Sequence, residues 1–361
     1  MIDDRLVRAA GTAGERGASI GAAAGERIRA LLEAQDREHR DRDGLTLRGW
    51  LPAARRFEPL IREHAPVTAE EIAGMAAGAG LPADELLLLA CAYEKYLGPA
   101  PAPAPETDGH CTALGAAGDA TVAGDVICGQ NNDELIAGWL GGAADVIVHH
   151  TADDGLQTLL YTHAGVPAYM GMNSARLCVT WMYIDNGERG AGLPTCVLIR
   201  ELLTMRSLAD AVEYLDGTPH AVPNAFLLGH PQGLRTVEVF PHSRMRVREG
   251  THLLWHANHI LDEELASADR QTSNPNATTF SRCERMGELL CEHRGRIDVG
   301  AAQRFLSDHG SRHTICQHAK PQAEAPGKTL ASMVFEPAAG TMHLAFGNGC
   351  EEPYAAYRFD G

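Results

Sequence analysis

Between residues 98 and 110 the chain reads GPAPAPAPETDGH, and this stretch divides everything around it. Proline fixes φ and has no N–H to give a helix or a sheet ladder. Alternating Pro and Ala therefore predict an extended, solvated linker and forbid one continuous element across it. On its N-terminal side, apolar residues recur at helical spacing, with Ile28, Leu31 and Leu32 in a helix over 20–40. Thr68 and Glu71 read as a capping box ahead of Ile72 and Met75, and Leu86 to Leu89 fall in a third helix over 82–96. The first ninety-odd residues are thus predicted helical. After Cys111 the pattern changes to short apolar and β-branched runs at 121–127, 144–150, 158–162, 177–182, 225–229, 236–240 and 253–256. Helices are expected over 195–205, from an N-cap at Ser207 to Leu215, and over 282–292 and 300–307. A strand pair, 329–336 and 341–347, follows, joined by PAAG. Strands, then helices, then strands predict an α+β chain, with sheets flanked by helices. The expected division is a helical region 1–110, ending in the linker, and a strand-rich region 111–361.

Charge and cysteine usage exclude several functions. The formal net charge is −16, and lysine occurs only at Lys95, Lys320 and Lys328. Without a concentrated cationic stripe the chain has nothing with which to displace counterions from a phosphate backbone, so no nucleic-acid partner is expected. The nine cysteines are odd in number and no two are spaced as CxxC, which argues against a disulfide framework and against a structural zinc site. They read as small buried thiols of a reducing compartment, and a cytoplasmic location is expected. The N-terminus is charged and lacks an apolar h-region, and no apolar run has transmembrane length, so no membrane partner is expected.

Four clusters could carry chemistry. Cys111 follows the linker and precedes Thr112, and GQNND (129–133, with Asn131 and Asp133) comes soon after, read as a polar strand end or turn. WHANH (255–259) holds a His-x-x-His pair, but with no carboxylate or cysteine nearby it lacks a third metal ligand. Its Asn258 is the more useful group, since an amide N–H can stabilise an oxyanion. GMNSARL (171–177) contains Asn173, and SRHTICQH (311–318) contains Arg312 and Gln317; each reads equally well as a plain loop. No GxGxxG or Walker pattern sits between a strand and a helix, so no cofactor is called for.

Taken in order, seven segments resemble the acyl-coenzyme A:6-aminopenicillanic acid acyltransferase family, a branch of the N-terminal nucleophile hydrolases. They are IREHAPVTAEEIAGMAAGAGLPADELLLL, CTALG at Cys111, GQNND, GMNSARLCVTWM, GLPTCVLIRELL, HANH, and TIC (314–316) with a last strand pair ending GNGC. The resemblance implies a four-layer αββα sandwich in which residues 1–110 are a pro-region, cut from 111–361 and remaining associated with it. It implies Cys111 as nucleophile, Asp133 as the catalytic aspartate and Asn258 as the oxyanion asparagine, with His110 and Cys111 flanking the cleaved bond. Thr112, Asn131, Asn173, Arg312 and Gln317 are candidate pocket residues. The chemistry is coherent by itself. An α-amine freed at Cys111 has a pKa of roughly 7.7–8, suited to a general base near neutrality, and it can activate its own thiol without a separate histidine. The expected partners are a small amide or acyl substrate, a coenzyme A thioester among the acyl donors, and the two self-cleaved chains themselves.

The chain departs from the family's pattern at three positions. His110 stands where glycine is usual before the nucleophile, which either slows cleavage or recruits the imidazole to it. Gln317 replaces an arginine after TIC, with Arg312 near in sequence as a substitute cation. Arg176 replaces a glycine. Two readings therefore stand beside the self-processing enzyme: an uncleaved, non-catalytic relative serving as a binding or scaffold protein, and a metal-dependent hydrolase built on the histidines.

Overall fold

A computed structural model of the chain describes residues 4–94, 111–274, 277–310, 314–320 and 326–360. Its first element corrects the expectation of an all-helical start. LVRAAG is a strand, β1 (Leu6–Gly11), with Val7 and Ala9 buried. Gly11 takes φ 101°, which glycine adopts without a Cβ clash, and Thr12 opens α1 (Ala13–Asp43) in a capping box with Glu15. A six-residue strand abutting a 31-residue helix carries too little alternation to be read from sequence. Short helices α2 (Leu51–Ala54) and α3 (Glu58–His64) lead to α4 (Pro66–Ala79) and α5 (Ala83–Ala90). The capping box expected at Thr68 and Glu71 is a second correction. The helix starts at Pro66, whose missing N–H costs nothing in a first turn, so both residues lie inside α4, and both are buried.

After Cys111 come β2 (Thr112–Ala116), β3 (Ile127–Leu135), β4 (Asp145–Ala152), β5 (Gln157–His163), β6 (Met170–Asn173) and β7 (Cys178–Tyr183). Helices α6 (Thr195–Leu202) and α7 (Leu208–Gly217) follow, the latter capped by Ser207 as expected. Next are β8 (Asn224–His230), β9 (Gly233–Val239), β10 (Arg246–Arg248), β11 (Leu253–His256), α8 (Thr279–Glu292) and α9 (Val299–Leu306). The chain closes on β12 (Gly327–Glu336), β13 (Thr341–Phe346) and β14 (Ala355–Arg358). The strand expected over 121–127 is a loop that Gly124 turns at φ 80°, with the Gly118 N–H donating across it to the Gly124 carbonyl. GQNND is therefore neither a strand end nor a turn: it forms the buried middle of β3.

Among the described residues the strands form two sheets. The larger runs β1-β4-β5-β6-β7-β8-β9-β10 and the smaller β11-β2-β3-β12-β13-β14. They face one another through β2 and β3 against β7 and β8, and Gln130 of β3 bridges them, its amide pairing with the Trp181 backbone at 2.6 and 2.9 Å. Helices α8 and α9 cover the outer face of the smaller sheet, while α1 and α7 lie on the larger. The result is the expected αββα layering of an α+β chain.

The N-terminal helices are built into this sandwich. α1 and α4 approach so closely that a Cβ on Gly21 would sit 2.1 Å from the Met75 carbonyl oxygen, and one on Gly78 2.0 Å from that of Ala18. Glu71 of α4 accepts from Arg200 of α6 at 2.9 Å twice over and pairs with Arg16 of α1 at 3.4 Å, while Thr68 donates to Glu201. Burial pushes the Glu71 carboxyl up, but Arg200, His150 and Arg16 outweigh it and hold its pKa down at about 2. Parallel pairing of β1 with β4 at the sheet edge, Leu6 opposite Ile147, adds a backbone link.

Candidate active site

Cys111 is the residue just before β2, and the antiparallel order β11-β2-β3 brings its neighbours to it from both sides. On one side β3 sets Thr112 opposite Asn131, so that Asn132 and Asp133 run past Cys111. On the other, β11 sets His256 opposite Ala113, and the chain continues through Ala257 to Asn258 beside the same strand end. Three residues far apart in sequence thereby meet because two strand registers require it.

What joins them is a residue the sequence analysis passed over. Arg282 of α8 is fully buried. Its Nη1 donates to the Cys111 carbonyl oxygen and to Thr112 Oγ1, both at 2.6 Å, and its Nη2 donates to Asn258 Oδ1 at 3.0 Å. Burial lowers its pKa to about 10, opposed chiefly by Asp133, so it remains a cation at neutral pH. The planar fork serves both sides of the site at once, which a lysine could not do. In the sequence Arg282 is one arginine of many on a helix with an amphipathic pattern, so nothing marks it.

Asp133 is buried, accepts from Thr329 Oγ1 at 2.6 Å through one oxygen, and has no partner among the described residues for the other. Burial raises its pKa to about 7 despite the Arg282 charge and the Thr329 hydrogen bond. A carboxyl poised there can take or release a proton under physiological conditions. Cys111 is also buried; burial, followed by the Asp133 and Glu134 charges, pushes its thiol up to about 12. The Asp133 backbone N–H and Tyr169, whose hydroxyl lies 3.8 Å from Sγ, act in the opposite direction. In the uninterrupted chain the nitrogen of Cys111 is an amide and the thiol is neutral, so activation needs a base.

Tyr169 and Glu134 are further residues the sequence did not reveal. Tyr169 donates to Glu134 at 3.1 Å and Tyr93, from before the linker, does so at 2.8 Å. Tyr93 and Tyr169 also pack edge-on to Trp181, with ring centroids 5.1 and 5.3 Å away, and build an aromatic wall beside the thiol. Glu134 directly follows GQNND, the one sequence signal that could have found it.

The other candidates divide. Asn131 is buried in β3, donates to the Leu306 and Ile315 carbonyls at 2.8 and 3.1 Å, and so ties the loop after α9 to the site strand. Gln317 contributes its backbone: its N–H donates to Thr329 Oγ1 at 3.0 Å, supporting the Thr329 contact to Asp133, while its side chain turns back to the Thr314 carbonyl. Asn173 is not brought to Cys111 by any hydrogen bond. It donates to the Leu203 and Met205 carbonyls and accepts from the Leu177 N–H, fastening the β6–β7 turn to the end of α6. Arg176 lies in that turn at φ 76°, which explains why a glycine suits the position. His110 and Arg312 lie outside the described residues.

The histidines of HANH are occupied separately. His256 pairs with Glu238 at 3.0 Å and His259 with Thr279 Oγ1 at 2.9 Å, and among the described residues they join no group of three or more ligating side chains. The Asn258 side chain donates to the Tyr183 carbonyl at 3.1 Å and accepts from Arg282, while its backbone N–H donates to Thr279 Oγ1 at 2.7 Å. The side-chain amide is thus held at both ends and the backbone is anchored separately.

The family model described as Acyl-coenzyme A:6-aminopenicillanic acid acyl-transferase matches residues 122–351, a span that opens eleven residues after Cys111. The chain is 27% identical over 286 residues to the Acyl-coenzyme A:6-aminopenicillanic-acid-acyltransferase 40 kDa form of Emericella nidulans (strain FGSC A4), covering 78% of this chain and 75% of that protein. Among solved structures it is similar to a mutant conjugated bile acid hydrolase from Clostridium perfringens, with a TM-score of 0.44 and 10% identity, covering 69% of this chain and 97% of that one. It is also similar to penicillin V acylase from Agrobacterium tumefaciens, with a TM-score of 0.44 and 12% identity, covering 65% and 83%. With well over half of its length inside one family's span, this chain belongs to the acyl-coenzyme A:6-aminopenicillanic acid acyl-transferase family.

Proposed function

We propose that the chain is a self-processing amidohydrolase or acyltransferase that cuts the His110–Cys111 bond and then uses Cys111 as an N-terminal nucleophile. The observation that carries this reading is the convergence of Cys111, Asn258 and Asp133 around one buried cation, Arg282. In the first reaction the thiol adds to the His110 carbonyl carbon and the C–N bond breaks. The His110 acyl group passes to sulfur, and the Cys111 nitrogen leaves as an amine. Water then hydrolyses the thioester, giving a carboxylate at His110 and restoring the thiol. Asp133, with one oxygen lacking a partner among the described residues and a pKa of about 7, is the titratable group suited to shuttle the proton.

The freed amine has the pKa of an α-amino group, about 7.7–8. It removes the thiol proton as sulfur attacks a substrate carbonyl and returns it to the leaving group, so the acyl-enzyme forms without a histidine. Asn258, fixed by Arg282, is the side chain suited to donate to the tetrahedral oxyanion, a contribution of about 3 kcal/mol in comparable sites. Water resolving the acyl-enzyme gives hydrolysis; an amine gives acyl transfer. The named relative supports a small amide or an acyl thioester such as that of coenzyme A as substrate class.

The test is an intact mass of the purified protein under denaturing conditions. Two chains meeting between His110 and Cys111, replaced by a single full-length chain in Cys111→Ala, are expected. A single full-length species from the unaltered protein, stable on incubation, overturns self-processing and favours the uncleaved, non-catalytic reading.

A further inference from the structure

Away from Cys111, three separate segments bring two thiols and two imidazoles together. His309 follows α9, Cys316 and His318 lie in the loop before β12, and Cys350 lies in the turn after β13. Their ligating atoms all fall within 4.8 Å of one another. We propose that these four residues bind a structural zinc ion.

Edge lengths carry the argument. Tetrahedral zinc with Zn–S near 2.3 Å and Zn–N near 2.05 Å needs edges of about 3.8 Å between sulfurs, 3.6 Å between sulfur and nitrogen and 3.3 Å between nitrogens. Here Cys316 Sγ and Cys350 Sγ are 3.5 Å apart, and His309 Nε2 and His318 Nε2 3.0 Å. Cys316 Sγ to His318 Nε2 is 3.7 Å, Cys350 Sγ to His318 Nε2 3.3 Å, and Cys350 Sγ to His309 Nε2 3.9 Å. Both cysteines are free thiols. Two thiolates cancel the charge of a divalent ion, and a sulfur–imidazole donor set selects zinc over the oxygen-seeking cations.

The surroundings are those of a metal centre. Asn348 Nδ2 donates to Cys316 Sγ at 3.2 Å, and the far nitrogen of His318, Nδ1, faces Glu351 at 3.5 Å, the carboxylate–histidine arrangement that orients a ligating ring. The ion fastens the loop carrying Gln317 to the turn carrying Asn348, which itself donates to the Gln317 carbonyl at 2.7 Å. Through the Gln317 N–H and Thr329 this reaches Asp133, so the ion stiffens the ground on which the carboxyl stands without joining the reaction. The spacing, one residue between Cys316 and His318 with His309 and Cys350 distant on either side, matches no CxxC pattern. This proposal therefore replaces the expectation of no zinc, which rested on the odd number of cysteines and the lack of a CxxC pair.

The experiment is elemental analysis of the full chain, made without a polyhistidine tag in zinc-supplemented medium and purified under reducing conditions. One zinc per chain is expected, with loss of most of it in Cys350→Ser and in His318→Ala, and full occupancy in Cys291→Ser, an exposed cysteine outside the cluster. Should the variants fail to fold, CoCl2 titrated into metal-stripped wild-type chain supplies an independent readout: thiolate-to-cobalt and tetrahedral d–d absorption at one equivalent. Wild-type chain without zinc and without that absorption overturns the proposal. So does zinc retained at wild-type level in well-folded Cys350→Ser, or a Cys316–Cys350 disulfide in chain isolated under thiol-trapping conditions.

Discussion

Asp133→Asn, placed in a Cys111→Ala background so that no thiol is present, isolates the electrostatics of the site. Burial moves the Asp133 carboxyl from an ordinary 3.8 to about 7 in the folded chain. A raised carboxyl pKa means that the fold holds a proton which the unfolded chain gives up, so this group weakens the fold as pH climbs from about 4 to about 7. Each unit corresponds to about 1.4 kcal/mol, and roughly three units give a penalty of about 4 kcal/mol above pH 7 as an upper figure. Asparagine keeps the oxygen that accepts from Thr329 and cannot ionise, so the variant resembles the protonated site at every pH. The expected outcome of urea unfolding is a variant about 2–4 kcal/mol more stable at pH 8, an advantage that shrinks by about 1.4 kcal/mol per unit below pH 7 and vanishes near pH 4. A difference that does not change with pH, or a less stable variant at pH 8, refutes the reasoning. It would mean that Arg282 already holds Asp133 ionised.

Other residues give separate tests. Arg282→Lys retains a charge but cannot serve Cys111, Thr112 and Asn258 together; losing one charge-assisted hydrogen bond of about 1.5–3 kcal/mol should slow appearance of the second chain by about tenfold to a hundredfold, and an unchanged rate would sink this role. Glu71→Gln breaks the buried contacts to Arg200 and Arg16 and is expected to cost about 3–5 kcal/mol by urea unfolding at pH 7. Because the Glu71 pKa is depressed to about 2, its contribution is fully present above about 4.5 and is lost as pH falls towards 2, so wild type and variant should converge in that window. Gly78→Ala separates propensity from packing: propensity alone predicts a gain of about 1 kcal/mol, whereas a Cβ 2.0 Å from the Ala18 carbonyl oxygen predicts a loss of about 1–3 kcal/mol, read from the thermal midpoint.

Much of the fold was legible because its signals are local. The Ser207 cap of α7, the four-residue match of Leu253–His256 to β11 and the PAAG turn between β12 and β13 each depend on residues within a few positions. What failed was equally physical. β1 is held by a strand more than a hundred residues away, and the apolar run at 121–127 lost its strand to a glycine turn. Thr68 and Glu71 fit the pattern of a cap yet serve as buried partners of α6. GQNND read as a strand end or turn because buried polar strands are rare, and its burial is offset by the hydrogen bonds that Gln130, Asn131, Asn132 and Asp133 each make.

By itself, then, the sequence determined the α+β class and most of the elements after Cys111, since these are written in local composition and periodicity. Through a resemblance in motif order it offered Cys111, Asp133 and Asn258 as site residues. Only the tertiary structure decided that Arg282 joins them, that Asn173 is spent on a turn, and that His309, Cys316, His318 and Cys350 meet at one point. The reason is that strand register and helix docking fix which distant side chains share a space, and desolvation in that space, rather than residue type, sets the charge that Asp133 carries.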